Sequence, residues 1–191
     1  FLFACAIVIY HYNIYVAEYF AFTKQYTFNF PFLVDAFFII SGIVISMVYA
    51  NGIKNLIDYK RFLCLRLARL YPLHFLTLAF YVTLGLLYYA GFIHVVNPAK
   101  YDFRDLLPNL LLLHAWGFAH GLSFNYVSWT VSAEFFCYLC FPFVLFYFAK
   151  TNVWKGAIGL ILLGLGMYWG VHYFLLKFPQ NPEYNISFLR N

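Results

Sequence analysis

The chain has 191 residues, of which 64% are hydrophobic and only 10% are charged. Its mean hydropathy of +0.75 lies above the range of soluble domains. A soluble fold of this length needs a polar surface that these residues cannot supply, so the composition excludes an ordinary soluble globule. The net charge of +5 comes from basic residues beside apolar stretches, which favours membrane orientation, and we expect no nucleic-acid partner.

The first apolar segment begins with the chain itself. Phe1 already lies inside the run FLFACAIVIYHY, which lacks the basic lead-in and the small-residue cleavage site of a signal peptide. We interpret this run as a truncated first membrane helix. The chain ends at SFLRN without an evident terminal element, so we expect a single transmembrane domain, residues 1–191, truncated at both ends.

Further apolar stretches approach the roughly 20 residues that a membrane-spanning helix needs. They cover residues 31–50, 70–92, 127–149 and 157–176. Residues 106–118 form a shorter apolar stretch, which is compatible with a short span, a re-entrant segment or an interfacial helix. The predicted fold class is all-α, a polytopic transmembrane helix bundle with five or six visible membrane segments.

The connection that leads into the third predicted helix is strongly basic. Its charged residues are Lys54, Asp58, Lys60, Arg61, Arg66 and Arg69. The positive-inside rule therefore predicts that the 51–69 loop is cytoplasmic and that the 91–105 connection lies outside. Lys150 and Lys155 also lie inside if residues 106–118 do not cross the membrane fully, and counting of positive charges mildly favours that arrangement.

Three ionisable residues fall in or near the apolar segments, namely His11, Asp35 and Glu134. An acid at the centre of a membrane helix costs about 2.5 to 3.5 kcal/mol on insertion scales. One such residue is explained equally well as hydrogen-bonding glue between helices or as part of a functional path. Three such residues in one chain favour a functional path over hydrogen bonding between helices alone.

Helical spacing places some polar residues on common faces. Thr130, Glu134 and Tyr138 follow one another at intervals of four, and Asp35 shares a face of the second helix with Gly42. We expect both polar faces to point into the bundle, and we expect Gly42 to leave room for a close partner.

Four segments, in this order, resemble the membrane-bound acyltransferase family 3. They are IVIYHYN, FLVDAFFIISGIVIS, YKRFLCLRLARLYPLHF and SWTVSAEFFCYLCFP, and the last stretch of the chain adds only generic apolar helices. The resemblance implies a fold of about ten membrane helices, of which roughly half are visible here. Thr130 and Val131 depart mildly from the Ser-Leu that the family often has after the tryptophan, Trp129 here.

The resemblance also implies an activity. Family members transfer an acyl group, usually acetyl, from cytoplasmic acyl-CoA to a hydroxyl of a carbohydrate, a lipid-linked molecule or another cell-envelope acceptor. It implies acyl-CoA as a donor substrate with no permanently bound cofactor or metal, and an integral, multi-pass location in a bacterial inner membrane. It leaves the oligomeric state open.

Acyl transfer to a hydroxyl needs a base that titrates near neutral pH, and imidazole is the side chain that supplies one. His11 is therefore the predicted general base, or the group that first receives the acyl chain. Glu134 and Asp35 compete as the partner of His11, and the sequence does not choose between them.

Arg66 and Arg69 lie one helical turn apart, and the simplest explanation of each is topology and lipid headgroup contact. In the family interpretation they hold the phosphates of CoA, a task that suits guanidinium geometry. Ser41 and Gly42 are predicted to line the acyl path, the route that the acyl group of acyl-CoA takes through the site. A proton- or cation-coupled transporter component would explain His11 and the two acids equally well, but it has no particular need for the arginine pair.

Overall fold

The structure, a computed structural model, describes residues 2–16, 32–49 and 52–177. Helix is the only regular structure in these residues, which confirms the all-α fold class. The α-helices are α1 (Leu2–Val16), α2 (Phe32–Tyr49), α3 (Leu56–Tyr89), α4 (Leu106–Leu110), α5 (Trp129–Lys150) and α6 (Val153–Lys177). Short 3-10 helices cover Pro98–Tyr101, Phe103–Asp105, His114–Trp116 and Tyr126–Ser128.

Three helical stretches are long and apolar enough to cross a membrane by length and composition. They are Phe32–Tyr49, Leu56–Tyr89 and Tyr126–Phe148. Leu2–Tyr12 and Trp154–Gly166 are apolar but shorter. Large apolar side chains such as Met47, Leu73 and Phe143 lie exposed on the long helices, as expected where lipid covers the surface.

The chain divides into two compact units, Phe1–Lys54 and Asn55–Asn191. In the first unit α1 and α2 pack against each other. The rings of Phe3 and Phe37 meet edge to face, with centroids 5.9 Å apart.

Helix α3 begins earlier than the sequence predicted, so most of the expected 51–69 loop is helical. The Asn55 side chain caps the helix by accepting hydrogen bonds from the backbone N–H groups of Ile57 and Asp58, both at 2.9 Å. The helix then continues through Pro72 to Tyr89. The basic residues of this segment therefore project from a helix, at positions fixed by its turns.

Residues 98–112 run back along α3 after it ends. A Cβ added at Gly85 would stand 3.1 Å from the Tyr101 ring, so the segment packs closely here against the far end of α3. Further along, the Tyr71 hydroxyl donates to the Leu110 carbonyl oxygen at 3.0 Å. Gly85 and Tyr71 are fourteen residues apart on α3, or about 21 Å along its axis.

The chain then returns to the level at which it started. The Phe124 N–H donates to the Lys100 carbonyl oxygen at 2.6 Å, and the Phe103 and Phe124 rings meet with centroids 5.6 Å apart. Residues 98–124 thus enter and leave at the same end of α3, and residues 125–128 then lead back to the level of Thr77. Of the three alternatives for residues 106–118, this return along α3 fits the re-entrant segment, in which α4 has only five residues, and we use that name for residues 98–128.

Side chains from α3 and α5 satisfy the irregular backbone of this re-entrant segment. The Ser132 hydroxyl donates to the Leu112 carbonyl oxygen at 2.6 Å and accepts from the Ala115 N–H at 3.1 Å. A ring nitrogen of His74 lies 2.9 Å from the Asn109 carbonyl oxygen. Non-helical backbone at membrane depth is tolerated only where protein groups or water satisfy it, and these contacts satisfy three of the backbone groups of this segment.

Helix α5 runs antiparallel to α3. The Asn125 amide, just before α5, lies 3.5 Å from the Thr77 hydroxyl, and farther along α5 the Leu139 carbonyl oxygen accepts from the Tyr59 hydroxyl at 3.2 Å. The end of α5, with Lys150, therefore lies at the same end of the unit as the basic start of α3. This is the arrangement that the positive-inside rule favours.

Candidate functional site

The first unit holds His11, Asp35, Ser41 and Gly42. His11 is half-buried on α1, and its ring packs edge to face on the Tyr10 ring with centroids 5.4 Å apart. Asp35 is exposed in the first turn of α2. Phe3 contacts Phe37, which lies two residues after Asp35 on α2. His11 lies eight residues beyond Phe3, or about 12 Å along α1 from this contact. A pairing of His11 with Asp35 stays a prediction.

Ser41 is half-buried and Gly42 is exposed. Within the described parts of the chain, no atom outside the neighbouring backbone of α2 stands within 4 Å of a Cβ built on Gly42. The close partner that we expected at this glycine is therefore absent from the described residues, and the role of both residues in an acyl path stays a prediction.

The second unit joins Glu134 to the arginine helix through Tyr138. The Tyr138 hydroxyl donates to a Glu134 carboxylate oxygen, and the two residues lie on the common face that their spacing along α5 predicted. The Arg66 guanidinium lies over the Tyr138 ring, with its carbon 5.6 Å from the ring centroid, and over the Phe62 ring at 5.5 Å. A cation, a phenol and a carboxylate thus follow one another across the α3–α5 interface.

Arg69 lies one turn beyond Arg66 and is exposed. It lines a groove of about 230 Å³ between α3 and the start of α5, together with residues such as His74, Thr77 and Thr130. Both arginines therefore project towards α5, from the same side of α3, and the i, i+3 spacing had predicted this shared side. Arg66 is half-buried and partly enclosed by rings, whereas Arg69 is exposed.

His74 and His114 form a stacked pair at the re-entrant segment. Their rings are nearly parallel, with centroids 5.8 Å apart, and both residues are buried. A ring nitrogen of His114 lies 3.1 Å from the Ser128 hydroxyl, which itself donates to the Asn125 carbonyl oxygen. These contacts, with that of His74 to the Asn109 carbonyl, connect both rings to the re-entrant segment.

A carboxylate cluster lies at the start of the re-entrant segment. Asp105 is fully buried and accepts from the backbone and the ring of His120, both at 2.9 Å, and from the Ser123 hydroxyl at 2.5 Å. Burial alone would raise the pKa of Asp105, but these hydrogen bonds outweigh it and hold the pKa below its usual range.

Asp102, Asp105 and His120 present ligand atoms within 4.8 Å of one another, close enough to hold a metal ion. However, the Arg104 guanidinium donates to both oxygens of Asp102, and these hydrogen bonds hold the pKa of Asp102 below its usual range. The Asp105 oxygens are engaged by the loop. These contacts fit loop folding better than metal binding, and we place no metal here.

Sequence reasoning missed the residues that hold the re-entrant segment, chiefly Asp105, Asn109, Ser128 and Ser132. One available clue was the four-residue spacing of Ser128, at the end of the preceding 3-10 helix, and Ser132 on α5, which puts two small hydroxyls on the same side. A second clue was Asn109 inside an otherwise apolar run, where a polar group needs partners. Neither clue reveals which backbone groups these side chains would meet.

The structure brings together Arg66, Tyr138 and Glu134, and it places Arg69 one turn away on the same face. His11 belongs to the other unit, so its pairing with Glu134 stays a prediction. Chemically, the α3–α5 cluster offers guanidinium groups for an anion beside a carboxylate that can orient a base or carry a proton.

Comparison with known proteins identifies the family. The acyltransferase family 3 profile, described as an acyltransferase domain, matches residues 1–191, and the chain belongs to this family of membrane proteins. The resemblance noted in the four sequence segments is thereby confirmed.

A curated relative is the acyltransferase MdmB of Streptomyces mycarofaciens, with which the chain is 30% identical over 111 residues. The matched region covers 57% of this chain and 27% of that protein, so the chain spans well under two thirds of this relative. No solved structure matches the chain.

Proposed function

We propose that this chain is part of an integral-membrane acyltransferase. It moves an acyl group, in the first instance acetyl, from cytoplasmic acyl-CoA to a hydroxyl of a carbohydrate or another cell-envelope acceptor. The observation that carries the proposal is the family match over the whole of residues 1–191. The relative named an acyltransferase agrees with it.

The proposed reaction balances without an added cofactor. The His11 imidazole takes the proton of the acceptor hydroxyl, and the oxygen attacks the thioester carbonyl carbon. A carbon–oxygen bond forms, the carbon–sulfur bond breaks, and the departing CoA thiolate recovers the proton. In the alternative sequence the acyl group first passes to His11 and then to the acceptor.

The α3–α5 cluster supplies the remaining roles in this proposal. Arg66 and Arg69 project from the basic first half of α3, where they would meet the phosphates of acyl-CoA. Glu134 orients the His11 imidazole and stabilises the imidazolium, or carries the proton, and Asp35 is the alternative partner.

The proposed orientation follows from charge. The start of α3, with Lys60, Arg61 and Arg66, faces the cytoplasm, and Lys150 lies at the same end of the unit. The re-entrant segment then enters from the opposite face of the membrane. We place the protein in the plasma membrane of a bacterium, where the donor is cytoplasmic.

The experiment uses the full-length protein in nanodiscs, with radiolabelled acetyl-CoA and a crude cell-envelope extract. We expect CoA release together with transfer of label to an extract component, and a loss of about 100-fold or more in His11→Ala. His94→Ala removes an exposed histidine outside the proposed site and serves as the matched control.

Full activity in a folded His11→Ala protein would exclude His11 as the base or acyl carrier. Uptake of a labelled solute into proteoliposomes without any acetyl-CoA turnover would favour the transporter alternative instead.

A further inference from the structure

Tyr138 contacts two charged residues with two different parts of its side chain. Its hydroxyl donates to the Glu134 carboxylate, and its ring lies under the Arg66 guanidinium. The residue is only 2% exposed, on the face of α5 that packs against α3. A buried phenol needs a partner for its O–H, and here that partner is the candidate catalytic acid.

We propose that Tyr138 is a positioning residue of the acyl-transfer site. Its ring holds Arg66 where the acyl-CoA phosphates bind, and its hydroxyl fixes the orientation of the Glu134 carboxylate. Tyr138 acts through these two residues without touching substrate. The inference rests on the proposed function, because it assigns Tyr138 to the donor site and to the proton-handling group of that reaction.

The arrangement follows from helix geometry. Glu134 lies one turn before Tyr138 on α5, so the phenol reaches along its own helix to the carboxylate. Phe62 lies one turn before Arg66 on the antiparallel helix α3, and its ring meets that of Tyr138 at a centroid distance of 5.9 Å. The two rings enclose the guanidinium from adjacent sides.

Because the ring and the hydroxyl make separate contacts, substitutions can remove them separately. Tyr138→Phe keeps the aromatic face under Arg66 and deletes the hydrogen bond to Glu134. We expect kcat for acetyl-CoA turnover to fall about tenfold, with KM for acetyl-CoA within about twofold of the wild-type value. Tyr138→Leu removes both contacts, and here KM should also rise, by about fivefold.

Two double substitutions test whether Tyr138 acts through its neighbours. If the hydroxyl works only through Glu134, Tyr138→Phe should cause no further loss of kcat in a Glu134→Gln background. If the ring works only through Arg66, Tyr138→Leu should cause no further rise of KM in an Arg66→Gln background. Independent, multiplying effects in both backgrounds would overturn the inference.

The matched control is Tyr59→Phe. The Tyr59 hydroxyl crosses the same helix interface to the Leu139 carbonyl oxygen but touches neither charged residue. Both parameters should stay within about twofold of wild type in this variant. Thermal unfolding and CoA binding of each purified protein separate a folding defect from a site defect.

Outcomes that defeat the inference are distinct from those that defeat the proposed function. A wild-type protein that turns over acetyl-CoA, with Tyr138→Phe indistinguishable from Tyr59→Phe, overturns the role of Tyr138 alone. A rise in KM with unchanged kcat in Tyr138→Phe overturns the assignment of the hydroxyl to Glu134. A wild-type protein that neither binds nor consumes acyl-CoA overturns the proposed function and this inference with it.

Discussion

Two polar clusters in the second unit use their side chains differently. Asp105, Asn109 and Ser132 of the re-entrant cluster are essentially inaccessible, and backbone groups are among their partners. Arg66 and Glu134 of the α3–α5 cluster are only half-buried, and both contact the side chain of Tyr138.

The difference has a physical cause. A non-helical segment at membrane depth exposes N–H and C=O groups that must be satisfied within the protein, and short polar side chains do this well. A charged group that stays partly accessible in an apolar protein costs insertion energy, and it satisfies no backbone N–H or C=O group in return. Burial depth together with the type of partner therefore separates structural polar groups from candidates for chemistry better than polarity alone.

The largest effect should come from removing the fully buried carboxylate. Asp105→Ala leaves several N–H and O–H donors of the loop without an acceptor, and we expect a loss of about 3 kcal/mol or more in the free energy of unfolding. Unfolding of the purified protein in mixed micelles measures it. If Asp105→Ala instead lowers acyl-CoA affinity with stability intact, the re-entrant cluster belongs to the site and the comparison fails.

Ser132→Ala should lower the free energy of unfolding somewhat less, by about 2 kcal/mol, because the Leu112 carbonyl and the Ala115 N–H lose their hydrogen-bond partner. Thr83→Ala is the control, since its exposed hydroxyl bonds only to the Ala79 carbonyl of its own helix. The control should change the free energy of unfolding by no more than about 0.5 kcal/mol. Equal costs for the two variants would mean that the hydroxyl of Ser132 does not hold the segment.

Arg69→Gln should have the opposite effect to the two preceding variants, because it should weaken acetyl-CoA binding and leave the free energy of unfolding nearly unchanged. The side chain is exposed, so we expect little change in unfolding but a rise of about tenfold in the Kd of acetyl-CoA, from loss of a charge-assisted phosphate contact. Arg61→Gln makes the same charge change on the same helix, at an exposed position outside the groove. Titration calorimetry on both variants decides, and equal weakening would indicate a general charge effect.

The smallest effect concerns pH. The pKa of Asp105 is lower in the folded protein than its usual value, so its hydrogen bonds stabilise the fold above the unfolded pKa of about 3.9. That contribution is lost as the pH falls through the folded pKa. The unfolding free energy should therefore decline in acid in the wild type and less steeply in Asp105→Asn. Parallel pH curves would show that this carboxylate is not the titrating group.

The helices were predictable because apolar runs of membrane length need only be counted. The common face of Tyr138 and Glu134 on α5 was predictable from their spacing, but the hydrogen bond between them was not predicted. The apolar stretch was counted from residue 70, whereas α3 begins at Leu56, because counting apolar residues overlooks a capped polar helix before the membrane span.

The re-entrant segment could not be chosen from the sequence, because its stability depends on contacts with residues distant along the chain. The Tyr71 hydroxyl reaches Leu110, and Ser132 reaches Leu112. Such contacts decide between a short span and a re-entrant segment, and no local pattern encodes them.

The proposed acyl-transfer site requires above all that Arg66 and Arg69 bind acyl-CoA. The decisive measurement is the Kd of acetyl-CoA for the full-length protein in nanodiscs, compared with the Arg66→Gln/Arg69→Gln double variant. We predict saturable binding by the wild type and a Kd at least about tenfold weaker in the double variant, with unfolding little changed. Equal affinity in the two folded proteins would contradict the assignment of Arg66 and Arg69 to acyl-CoA binding.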